Sequence, residues 1–125
     1  MDSIYKSSIV NNSNDTIKVV IFYDRRILDS IYQCKETNYN THLKWEINKA
    51  NLAYHEFDSI KLTAEYKLPP KSTLVIEDGM NGVPEYVILN EILINKNNTL
   101  EVYKKQMIKN LFKKKEKGVW EFEIK

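Results

Sequence analysis

Glycine and proline are scarce, at three residues each in 125, and cysteine occurs once. So few glycines leave no phosphate-cradling glycine loop and no G-x-S-x-G nucleophile elbow. The lone Cys34 has no partner for an internal disulfide, so the fold does not depend on oxidation and a reducing, cytoplasmic setting is expected. No apolar run approaches the roughly 20 residues of a membrane span. Met1 to Val10 lacks a basic leader followed by a continuous apolar stretch, which argues against a secretory signal. An excess of charge is missing too: 19 basic and 17 acidic residues give +2. That near-balance supplies no global field for capturing nucleic acid or an anionic membrane, so any such binding must come from a local patch.

What is present is a hydrophobic fraction of 42%, enough for one domain over residues 1–125 with a modest core. Two segments, Ile17 to Tyr23 and Tyr86 to Ile94, are apolar at neighbouring as well as alternate positions and read as buried central strands. Ser3 to Val10 has the β-branched content of a strand. The polar cluster Asn11 to Thr16 supplies turn chemistry, so a first hairpin with Ile17 to Tyr23 is expected. Asp24 can cap a short helix in which Ile27, Leu28, Ile31 and Tyr32 fall at helical spacing.

From Asn38 to Phe57 two periods compete. Leu43, Ile47, Ala50, Tyr54 and Phe57 form a helical stripe, whereas Leu43, Trp45 and Ile47 also alternate as in a strand. Ile60, Leu62, Ala64 and Tyr66 then alternate with polar residues until Pro69-Pro70 breaks the strand. Ser72 to Asp78 resumes, and the glycines near Asp78 to Gly82 suit a turn of a meander leading to the central strand from Pro84.

Beyond Asn95 to Asn98, Thr99 can cap a long amphipathic helix striped by Leu100, Tyr103, Met107, Leu111 and Phe112, with Gly118 as its left-handed C-cap. Val119 to Lys125 alternates again, with Trp120, Phe122 and Ile124 on the buried side. The expected class is therefore α+β. It is mainly antiparallel β, as a sandwich or curled sheet, with one long C-terminal amphipathic helix and one or two short helical segments.

Chemistry is thin. His42 and His55 stand 13 residues apart without a second ligand at metal-site spacing, and nothing around Cys34 resembles an activating turn for a nucleophile. No metal and no cofactor is expected. The Glu65-Tyr66-Lys67 triplet with Asp58 upstream has the residue types of a metal-dependent nuclease, yet the alternation places Glu65 and Lys67 on a wet strand face. Glu77-Asp78 reads as turn chemistry.

One local asymmetry stands out. Lys104, Lys105, Lys109, Lys113, Lys114, Lys115 and Lys117 fill the polar face of the expected C-terminal helix. A solvated face is the ordinary role of such a run, and contact with an acidic protein or with phosphates is the functional one. Arginine, the residue of bidentate base and phosphate recognition, is nearly absent. The sequence thus points to a small non-catalytic protein-interaction domain, an inhibitor, immunity or accessory factor. A nucleic-acid-binding accessory protein is the alternative, and a metal-dependent nuclease ranks third.

Overall fold

A computed structural model describes residues 4–32, 40–44, 55–80 and 82–125 of the chain. Among them, nine strands form two sheets that share one core. The first sheet has the order β5-β1-β9-β8, built from β5 (Ser72–Met80), β1 (Ile4–Asn11), β9 (Val119–Ile124) and β8 (Lys113–Glu116). The second has the order β3-β4-β2-β6-β7, from β3 (His55–Asp58), β4 (Thr63–Leu68), β2 (Ile17–Tyr23), β6 (Leu89–Lys96) and β7 (Thr99–Lys104). The helices are short: α1 (Arg25–Ile31), a helical turn over residues 40–44, and α2 (Lys105–Leu111).

Strand alternation builds the core. Ile17, Val19 and Ile21 of β2 face inward with Ala64, Tyr66 and Leu68 of β4 and Ile92 and Ile94 of β6. Ile9 and Leu74 face them from the first sheet, and Phe122 packs on Phe112 and, edge-on at 5.4 Å, on Tyr103. A satellite cluster of Leu28, Leu43 and Leu62 sits under α1, whose N-cap is Asp24: its Oδ1 accepts the Ile27 N–H at 3.1 Å.

The first expected hairpin does not form. β1 pairs with β5 and, in parallel, with β9, while β2 belongs to the other sheet, so residues 12–16 are a corner between sheets. Leu68 to Ser72 makes a second corner beside it, so the expected meander also crosses between layers. Asn11, fully buried, joins the two corners. Its Nδ2 donates to the carbonyls of Asp15 (2.8 Å), Leu68 (2.9 Å) and Pro69 (3.1 Å), and its Oδ1 accepts from the N–H and hydroxyl of Ser13.

The expected α+β class is corrected to a mostly β fold of two sheets with short helices, and the long C-terminal helix is what fails. Residues 99–104 are β7, only seven residues are helical, and Lys113–Glu116 is the edge strand β8. Asn97 and Asn98 explain the first part. Both are left-handed (φ 51° and 62°), forming a tight two-residue turn between the paired Lys96 and Thr99, so Thr99 opens a strand rather than capping a helix. Leu100 and Met107 of the expected stripe are exposed, while Ile108 and Phe112 carry the packing of α2. Gly118 is left-handed (φ 78°) as expected, but in the β8–β9 turn. A Cβ there would lie 2.5 Å from the Ile4 carbonyl oxygen.

Smaller corrections follow the same pattern. Ile60, expected to face inward, is exposed in the turn before β4. The segment Asp78-Gly79 continues β5, and the second central strand begins at Leu89 after a loop in which Tyr86 is left-handed (φ 57°). Of the stretch from Asn38 to Phe57, residues 40–44 are helical, which places Leu43 on a helix, and His55–Asp58 is a strand, so the helical stripe does not run through to Phe57. Residues 45–54 and Cys34 lie outside the described residues. Among the described residues, no helix is long and apolar enough to cross a membrane.

Candidate functional site

The structure divides the seven lysines. Lys104 is bound to Glu91 at 2.8 Å across the β6–β7 ladder. Lys105 bridges Asp24 at 2.8 Å and also donates to the carbonyls of Val87 (2.8 Å) and Leu89 (3.3 Å). These two therefore hold the fold. Lys109 is exposed in the last turn of α2, where a cation complements the helix dipole. Lys113, Lys114 and Lys115 lie on β8, where every residue is exposed, and Lys117 is in the turn that follows.

In an edge strand these lysines have a local structural use. β8 is short, bulged between Lys114 and Glu116, and charged, three devices that protect a sheet edge from uncontrolled pairing. A partner reaching β8 would therefore meet side chains before backbone. Lys114 stands over the Trp120 ring, 5.5 Å from its centroid, and Tyr5 meets the same ring edge-on at 6.5 Å.

Beside β8 the surface opens into a trough of about 410 Å³, whose lining includes Ile4, Tyr5, Val83, Lys114, Lys117 and Trp120. A second trough of about 440 Å³ shares Tyr5 and Val83 and runs on past Glu77, Met80, Glu85 and Val87. Along the two troughs four large apolar side chains face solvent: Ile4 (65% exposed), Met80 (59%), Val83 (55%) and Val87 (45%). Ile4 and Met80 are direct cross-strand neighbours. The patch is thus aliphatic in the middle, basic along β8 and acidic at Glu85.

Local bonding fixes the loop that shapes this surface. The Glu77 carboxylate accepts the N–H groups of Glu85 (3.1 Å) and Tyr86 (3.0 Å) and the Tyr5 hydroxyl (3.3 Å). Tyr86 is buried, shares a 2.7 Å hydrogen bond with Ser7 and stacks on Phe112 at 4.8 Å. Burial raises the pKa of both tyrosines; the Glu77 charge adds to that rise in each, and the Ser7 bond opposes it at Tyr86. These groups anchor the loop. The patch was not legible in the sequence because Ile4 is far along the chain from Met80, Val83 and Val87, and the segment carrying these three has the residues of a turn leading to a strand.

The nuclease residues are placed elsewhere. The Asp58 carboxylate accepts the N–H groups of Lys61 (3.0 Å) and Ile60 (2.9 Å); these bonds, the Lys61 one foremost, hold its pKa below the usual range. Glu65 pairs with Lys18 at 3.0 Å across the β2–β4 ladder. Among the described residues no group of three or more His, Cys, Asp or Glu side chains converges to hold a metal. His42 is exposed, with its ring against Tyr32, and His55 opens β3.

No family model and no solved structure matches the chain. It is 33% identical, over 82 residues, to an uncharacterized protein of Borreliella burgdorferi. That stretch covers 66% of this chain and 28% of the relative, so the chain spans under a third of that protein's length.

Proposed function

We propose that this chain is a small non-catalytic binding domain, an inhibitor, immunity or accessory factor, that docks a protein partner on the troughs beside β8. The observation that carries this reading is the exposed aliphatic patch of Ile4, Met80, Val83 and Val87 bordered by lysines. Contiguous apolar surface with a polar rim is the usual composition of a protein-docking site. Among the described residues Lys113, Lys115 and Lys117 have no ion pair, so the rim favours an acidic partner surface and would speed its approach. The single cysteine suits a cytoplasmic setting.

The lysine run would also attract phosphates, which keeps nucleic acid as the competing ligand. Two features favour protein. The Trp120 ring already has Lys114 and Tyr5 packed against it, where a stacking base would compete with them, and the patch beside it is aliphatic. Affinity capture of the tagged chain from its native cells, with and without nuclease, tests the reading. A stoichiometric protein that survives nuclease and is lost on Val83→Asp supports it. Recovery of nucleic acid alone, or of proteins that disappear with nuclease, contradicts it.

A further inference from the structure

The two sheets end in differently finished edges, and that difference concerns a surface separate from the troughs. β8 is bulged and lysine-rich, whereas β7, at the edge of the second sheet, runs from Thr99 to Lys104 with no register shift against β6. Its outward side chains Leu100 and Val102 are 56% and 41% exposed, and its charges are one acid, Glu101, and one base, Lys104, already paired with Glu91. Neither bulge nor proline nor surplus charge guards this edge.

We propose that β7 pairs antiparallel with β7 of a second copy, joining the two five-stranded sheets across a two-fold axis at Val102. Self-pairing is acceptable here because the strand's own charges balance, while a copy of β8 would face another β8 with lysine against lysine. Register is set by the same rule. Pairing must keep side chains on matching faces, which leaves two long overlaps, centred on Glu101 or on Val102. Centring on Glu101 sets two carboxylates opposite one another. Centring on Val102 instead opposes Val102 to Val102, Leu100 to Lys104 and Glu101 to Tyr103.

The outer face of the sheet supports the second register. Val20 stands opposite Leu93, and Leu93 opposite Val102, so an apolar row crosses β2, β6 and β7 and stops at the open edge. The two-fold continues that row into the second copy. On the inner face a trough of about 390 Å³, lined in part by Thr99, Glu101, Tyr103 and Phe122, leaves room for the incoming Glu101 and Tyr103. Tyr103, whose hydroxyl is bonded to Glu101 and whose pKa burial and that carboxylate push up to about 12, stays protonated as a donor at neutral pH.

Pairing over residues 100–104 alone is less than the ~800 Å² per partner of a stable interface, so the dimer dissociates on dilution. Sedimentation equilibrium of the full chain from about 10 μM to about 1 mM, a range that brackets such weak association, reads it directly. The mass is expected to rise from 14.8 kDa toward twice that value, and Val102→Lys, which sets two ammonium groups on the axis, should stay monomeric throughout. Amide exchange of the unaltered chain covers the case of a misfolded variant: β7 amides should slow as concentration rises. A monomer at every concentration, a dimer unaffected by Val102→Lys, or concentration-independent exchange in β7 overturns the proposal.

Discussion

Lys105 Nζ lies 2.8 Å from Asp24 Oδ2 while Oδ1 of the same carboxylate caps α1. One lysine thereby ties the N-terminus of α1, the helix that carries Leu28, to the start of α2, and its remaining protons reach the Val87 and Leu89 carbonyls. That bonding separates it from the lysines of β8. Lys105→Ala should lower stability by about 1–2 kcal/mol, since it removes charge-assisted bonds to groups only partly wet. Alanine at Lys113, Lys115 or Lys117 should each stay within about 0.5 kcal/mol. Urea denaturation of the four variants checks the contrast.

Asp24 carries a pH dependence with a definite sign. Burial alone would raise its pKa, but the Lys105 bond and the Ile27 N–H outweigh it, and the net shift is downward. A carboxylate depressed in the folded state contributes stability above its unfolded pKa of about 3.9 and loses that contribution as pH falls through the folded value. Asp24→Asn should keep a cap for α1 yet be less stable than the native chain at neutral pH. The difference should shrink below about pH 4 in thermal unfolding.

Asn11 bonds to both corners at which the chain crosses between the sheets. Replacing it with leucine leaves the carbonyls of Asp15, Leu68 and Pro69 without their side-chain donor in a buried corner. The expected cost is about 2–4 kcal/mol. Amide exchange should show residues 12–16 and Lys71 losing protection first; uniform loss across the chain would mean that the corners are held by something else.

Much of the strand content was legible because alternation and turn chemistry act locally. Ile17–Tyr23 is β2 with the boundaries its apolar run suggested, Trp120, Phe122 and Ile124 face inward, and Asp24 caps α1. Which sheet each strand joins was not legible: Asn11 to Thr16 has the residues of a hairpin turn, and its bonds as a corner, those of the buried Asn11 side chain among them, run to residues distant in the chain. Leu100, Tyr103, Met107 and Leu111 fall at helical spacing, yet Leu100 and Val102 alternate equally well, and the paired left-handed Asn97 and Asn98 decide for a hairpin. With the helix gone, the seven lysines no longer share one face, and the candidate surface emerges only when Ile4, Met80, Val83 and Val87 are brought together by the fold.

The most direct test of that surface is quantitative capture from nuclease-treated native extract, with the native chain compared against a variant carrying glutamate at Lys113, Lys114, Lys115 and Lys117. Lys109→Glu, on a separate element, serves as the control. The account predicts one stoichiometric protein partner, at least ~10-fold depleted by reversal of the β8 rim and retained by the control, as expected for charges that steer and orient an acidic partner. Equal recovery with all three chains would contradict it.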